Sequence, residues 1–144
     1  MPAMASDPTT WAELKSQVGS GGGNITVNST VTEITAPTGS EAISSPHDVT
    51  VFLANKNGEV GDVPLTGGGG ANPVFNNTGS LTIMYGSVNS NSTNSLAYAV
   101  TNMESLTLGA TSLIGGVGQF VSNAALTIIN AGDSIGPASG GVNS

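Results

Sequence analysis

Phe75-Asn76-Asn77-Thr78-Gly79-Ser80-Leu81-Thr82-Ile83 closes on a phrase that occurs four times in this chain. The four copies are Asp48-Val49-Thr50-Val51, Ser80-Leu81-Thr82-Ile83, Ser105-Leu106-Thr107-Leu108 and Ala125-Leu126-Thr127-Ile128. Each is a polar or small residue followed by apolar-Thr-apolar, the alternation of a strand with one face in a core. The residues ahead of the phrase recur too. Six positions before its first apolar residue stand Ile43, Phe75, Val100 and Phe120, and four before it stand Ser45, Asn77, Asn102 and Ser122. The phrases lie 32, 25 and 20 residues apart. A unit of that size cannot bury its apolar face alone, so successive units stack.

Stacking places Val49, Leu81, Leu106 and Leu126 in one inward column and Val51, Ile83, Leu108 and Ile128 in a second. Ile43, Phe75, Val100 and Phe120 form a third across the core. Thr50, Thr82, Thr107 and Thr127 then line up on the outside, where they are the candidate surface-binding residues. Asn77 and Asn102, with Ser45 and Ser122, fall at a bend where side chains can hydrogen-bond backbone and one another from coil to coil. Parallel strands about 4.8 Å apart would set identical charges against each other. Asn, Ser and Thr avoid that repulsion.

The ends of the array read differently. Thr10 followed by Trp11-Ala12-Glu13 is a capping box, and Trp11, Leu14 and Val18 share one helical face. A helix over 10–18 follows, ended by Gly19 to Gly23. Trp11 at this spacing reads as core rather than as a ligand platform. Residues 1–9 are expected to be flexible. Asn24-Ile25-Thr26-Val27 and Val31-Thr32-Glu33-Ile34 suggest an irregular first strand pair. The stretch 55–72 departs furthest from the repeat and is expected to be a loop insertion. After Asn130 a partial coil and a flexible tail are expected over 131–144.

The Phe75–Ile83 unit, with Tyr85-Gly86-Ser87-Val88 after it, resembles the coil of pectate-lyase-like right-handed parallel β-helices found in bacterial surface adhesins and autotransporter-type passenger domains. Thr10-Trp11-Ala12-Glu13-Leu14-Lys15 resembles the helix that opens many of them. The resemblance covers roughly residues 10–130. It implies an all-β fold: a short right-handed parallel β-helix, or solenoid, with an N-terminal capping α-helix. The same fold carries lyases, adhesins and viral tailspikes, so it does not by itself choose a function. The uneven repeat and the short chain depart from most members.

Composition narrows the chemistry. Only 8% of residues are charged, with two Lys or Arg, nine Asp or Glu and a formal net charge of −7. Typical soluble domains carry about 25% charged residues. Nucleic acid needs Lys and Arg to displace counterions, and anionic lipid needs a basic patch; neither partner is expected. Leu, Ile, Val and Phe number 33 of 144 residues, about 23%, which favours order over disorder. There is no cysteine, hence no disulfide or thiolate metal site. No run approaches the ~18 apolar residues of a membrane helix. Met1-Pro2-Ala3-Met4-Ala5-Ser6 lacks the form of a signal peptide, so the expectation is that either export is handled elsewhere or this is a mature segment cut from a longer protein.

Catalytic sets are hard to assemble from these residues. A polysaccharide lyase needs calcium-binding carboxylates and a base, yet arginine is absent and the two lysines are Lys15 and Lys56. A glycosidase needs two carboxylates roughly 5–9.5 Å apart. Asp48 and Glu104 stand two coils apart, hence about 10 Å along the axis. His47 is the sole histidine, at the repeat position of Gly79 and Glu104, and reads as a turn residue. Asn55-Lys56-Asn57-Gly58-Glu59-Val60-Gly61-Asp62 offers oxygen ligands without EF-hand spacing. The glycines 67–70 have neither the lysine nor the helix of a phosphate loop. N-x-[S/T] sequons stand at Asn24, Asn28, Asn76 and Asn91. No enzyme, cofactor or metal is expected.

The functional expectation is a cell-surface or extracellular, non-catalytic structural or adhesive module that binds glycan or protein. Two rivals are an ice-binding or other flat-surface binder using the Thr column, and a phage fibre or tailspike segment. At the C-terminal end, with Phe120, Leu126 and Ile128 as its edge, no charge or proline blocks residues 120–130, so either further coils follow in a longer parent, the favoured expectation, or isolated chains self-associate through this end.

Overall fold

The computed structural model describes residues 7–21, 23–37, 39–55, 60–67, 72–90 and 99–109, and the strand backbones 113–116, 119–122, 127–129, 134–135 and 142–143. Thr10 is extended (φ −131°, ψ 163°) and its hydroxyl accepts from the Glu13 N–H at 3.2 Å, so helix α1 (Trp11–Ser20) starts where its sequence says. The Glu13 carboxylate reaches one residue further back than the simplest capping box, accepting from the Thr9 N–H at 3.0 Å and from both threonine hydroxyls. The Thr9 hydroxyl, then the Thr9 N–H, holds the Glu13 carboxyl below the ordinary glutamate value. A depressed carboxyl stabilises the fold above its unfolded pKa and loses that contribution as pH falls through the folded one. Helical circular dichroism is therefore expected to begin falling at the acid edge of the glutamate range. Glu13→Gln should flatten that limb; an unchanged acid limb would assign it to other carboxylates.

Fifteen strands follow the helix among the described residues. β1 (Gly23–Thr26), β2 (Ile34–Thr35) and β3 (Ile43–Ser45) each open a different sheet. β4 (Asp48–Phe52), β5 (Val60–Gly67) and β6 (Phe75–Asn77) join the same three in the same order. β7 (Ser80–Met84), β8 (Gly86–Ser90) and β9 (Val100–Asn102) repeat the succession, and β10 (Ser105–Gly109) and β11 (Leu113–Gly116) begin it again. Every neighbouring pair among these eleven strands is parallel. The fold is thus mostly parallel β and solenoid-like, with three five-stranded sheets and one helix among the described residues.

The register is the one the phrase dictates. Val49 lies beside Leu81 and Leu81 beside Leu106; Val51, Ile83 and Leu108 follow suit. Ile43, Phe75 and Val100 align in the third sheet. All nine are buried, and they join Trp11, Leu14 and Val18 of α1 in one apolar cluster. Burying each large side chain is worth about 1.5–3 kcal/mol, so the columns rather than surface ion pairs hold the stack. The bend holds as well: buried Ser45 donates from Oγ to Asn77 Oδ1 at 2.8 Å, and Asn77 Nδ2 donates to the Ser105 carbonyl at 2.8 Å.

Four expectations are corrected. The stretch 55–72 is not only a loop, because it contains β5, the longest strand, lying between β2 and β8. Its Pro64 has no N–H to give, and it sits where the register shifts between Val60 and Pro64. The first strand pair does not pair: β1 and β2 belong to different sheets. The tail carries β14 (Ser134–Ile135) and β15 (Val142–Asn143), both antiparallel additions to the third sheet.

The fourth correction concerns the last repeat. β12 (Gln119–Ser122) folds back antiparallel on β11, which sets Phe120 opposite Gly115 in the second sheet instead of on Val100 in the third. β13 (Thr127–Ile129) runs antiparallel to β10, so Ile128 faces Thr107 and Thr127 faces Leu108. Thr127 therefore does not extend the Thr column, and Ile128 does not extend the Leu108 column. Leu126 lies outside the described residues.

Candidate functional site

The outer face of the first sheet is built by alternation. In β4 and β7 the inward residues are buried and the intervening ones partly open, so Thr50, Thr82 and Thr107 form a half-buried outward column in strict register. They are less exposed than expected. Asn24 of β1 heads the column beside Thr50. On one side stand Asp48, Ser80 and Ser105, again in register. On the other stand Thr26, Phe52, Met84 and Gly109.

Phe52 and Met84 make this second flank apolar, and Tyr85 completes it. The Tyr85 ring lies 6.5 Å from that of Phe52, tilted by 37°. Tyr85 has φ 62°, a left-handed backbone that is uncommon for a residue with a large side chain. Its N–H donates to the Gly109 carbonyl at 3.0 Å, which ties this corner to the next coil. The alternation gave the Thr column but not this aromatic pair, since Tyr85 lies just past the phrase. Its only signal was the neighbouring Gly86.

The other two sheets carry shorter outward columns of the same chemistry. Thr35, Thr66 and Asn89 align on the second sheet. Ser44, Asn76 and Thr101 align on the third, with the Thr101 hydroxyl donating to Asn76 Oδ1 at 3.0 Å. The sequon residue Asn76 is thus part of a polar ladder. No Asp, Glu, Lys or Arg stands in any of these three columns.

The remaining chemistry-bearing side chains are dispersed. Asp48 and Glu104 are both exposed, but Glu104 lies in the bend before β10 and it is Ser105, not Glu104, that shares the Asp48–Ser80 register. His47 is exposed beside the corner at Gly79, where an added Cβ would stand 2.6–2.7 Å from Pro46 and His47 backbone atoms. Asp62 accepts from the Asn55 N–H at 2.8 Å and closes its own loop. Among the described residues no three His, Cys, Asp or Glu group to hold a metal. Trp11 is 4% exposed, and its ring occupies the space a side chain at Gly67 would need. Its Nε1 is buried with no partner among the described residues. Among those residues no helix is long and apolar enough to cross a membrane.

No protein-family model, no curated protein and no solved structure matches this chain. The columns themselves are what a functional reading has to work from.

Proposed function

We propose that the chain is a short right-handed parallel β-helix, closed at its first turn by α1, and acts as a non-catalytic adhesive and structural module at the cell surface or outside the cell. Its contact surface is the outer face of the first sheet. The observation that carries this reading is the in-register column Asn24, Thr50, Thr82 and Thr107 beside Phe52 and Met84. Hydroxyls and amides repeated at strand spacing give a neutral partner a row of donors and acceptors. The apolar flank gives its C–H surfaces a place to pack, as aromatic and Met side chains do in interface cores. An uncharged glycan has both kinds of group, and it meets no charge in the central column. The same succession of sheets, with Trp11, Leu14 and Val18 buried in one cluster with the first strands, supports the capped β-helix form.

Retention of the chain on insoluble neutral polysaccharides (cellulose, chitin and an α-glucan) tests the reading. Wild type is expected to be retained on at least one, and Thr82→Lys, which sets a charge in the middle of the face, to cut retention at least tenfold at an unchanged melting temperature. Equal retention of wild type and Thr82→Lys would sink it. The register of Thr50, Thr82 and Thr107 also favours a second reading, a binder of flat ordered surfaces such as ice. Thermal hysteresis lost in Thr82→Lys would select that one. The Phe52–Met84 flank, which breaks any second Thr column, ranks it below the glycan reading.

Self-association through the C-terminal end belongs to the same proposal. β12 and β13 are the outer strands of two sheets, and they contain no charged residue or proline. Such edges recruit strands unless blocked. Phe120 and Ile128 stand in them. Sedimentation is expected to show concentration-dependent association that Ile128→Lys abolishes. A wild-type monomer at high concentration would remove this part of the reading.

A further inference from the structure

The last copy of the phrase carries a pairing that the fold does not use. Phe120, Ser122 and Ala125-Leu126-Thr127-Ile128 keep the spacing of Val100, Asn102 and Ser105-Leu106-Thr107-Leu108. Laid parallel on the preceding coil, Phe120 falls on Val100, Ser122 on Asn102, Leu126 on Leu106 and Thr127 on Thr107. That is the register of the earlier copies, in which Phe75 sits on Ile43, Val100 on Phe75, and Leu106 on Leu81. The chain instead pairs residues 119–122 antiparallel with β11 and residues 127–129 antiparallel with β10. We propose that residues 119–122 and 127–129 hold two registers: the antiparallel one of this structure and a parallel one that completes a further turn of the solenoid.

The two arrangements draw on different physics. Only Val117 and Gly118 separate β11 from β12, a link of hairpin length whose closure is local and costs little. The reversed strands pair incompletely, however. β13 matches three residues of five-residue β10, and β14 matches two of three-residue β9. The parallel register matches every position of the repeat. It requires the chain to cross from the second sheet to the third between 116 and 120, where the earlier crossings from β5 and β8 run through 68–74 and 91–99. A short tight link with full pairing thus competes with a favourable link and partial pairing. Two packings balanced in this way are the known ingredients of a fold switch. The exchange moves Thr127 from Leu108 to Thr107 and lengthens the outward Thr column from three residues to four.

The absence of cysteine makes the two states separable by introduced pairs. Thr101 and Val121 are neighbours only in the parallel register, whereas Ile114 and Val121 are partners in the antiparallel one. In the full chain, equilibrated in a glutathione redox buffer, both Thr101→Cys/Val121→Cys and Ile114→Cys/Val121→Cys are expected to close an intramolecular disulfide. Adding Gly118→Val, which disfavours a two-residue hairpin link, should raise the ratio of the first product to the second by about fivefold. Closure of only one pair, or a ratio indifferent to Gly118→Val, overturns the proposal. Nitroxide labels at Thr101 and Val121 read the same equilibrium without a forced bond. Two distance populations are expected; a single one overturns it.

Discussion

Asn77→Ala is expected to lower the free energy of unfolding by about 3–6 kcal/mol in urea titration, because it strands several buried polar groups at once. Asn77 is fully buried. Its Oδ1 accepts from Ser45 Oγ at 2.8 Å and from the Gly79 N–H at 3.2 Å, and its Nδ2 donates to the carbonyls of Gly79 and Ser105 at 3.0 and 2.8 Å. One side chain therefore joins three successive coils at the same corner. Alanine leaves Ser45, itself fully buried, without that acceptor, and removes the donor facing Ser105. Each such orphan costs about 1–3 kcal/mol, and whole domains are stable by only about 5–15. Asn77→Asp keeps the acceptor but removes the amide donor and adds a buried charge, so it should be no milder. A loss under about 1 kcal/mol for Asn77→Ala would mean that the corner is held by its backbone alone.

Gly86→Ala is expected to cost about 2–5 kcal/mol, from two sources that a control separates. Gly86 has φ 63°, and a Cβ there would meet the Leu53 Cβ and stand 2.6 and 2.7 Å from the Val63 and Leu53 carbonyl oxygens. The coil before it comes too close for any side chain at this corner. Gly23 has φ 80° and open space where its Cβ would be. Gly23→Ala therefore reports conformation alone, about 1–2 kcal/mol. Thermal melts of the two variants should differ clearly, with Gly86→Ala the lower. Equal melting temperatures would remove the close-approach argument.

Legibility in the sequence followed how much of a residue's environment its own repeat contains. Val49, Leu81 and Leu106 were readable as one column because alternation and spacing carry the register with them. Ser45 and Asn77 were readable as a bend for the same reason. β5 was hidden because Pro64 and Gly61 interrupt the alternation of Val63, Leu65 and their neighbours, and a bulge absorbs the irregularity. Phe120 and Thr127 were legible as a repeat but were assigned to the wrong pairing, since a phrase of alternating residues does not encode strand direction. That depends on the chain between the strands, and two residues suffice for a reversal. At the candidate face the Thr column was legible and the Phe52–Tyr85 contact was not. It depends on the left-handed turn at Tyr85, which places the ring back over the preceding coil.

The parallel succession of strands also gives the molecule a mechanical grain. Backbone hydrogen bonds between neighbouring strands run across the strands, along the direction in which coils stack. Tension applied along the stack opens those bonds coil by coil, so the resisting force at any moment is that of one interface. Tension applied along the strands must shear five paired residues between β4 and β7, and five between β7 and β10, together. A partner gripping the outer face of the first sheet, pulled sideways along its strands, would load the molecule in its strong direction. The same partner pulled toward either end of the stack would unzip it.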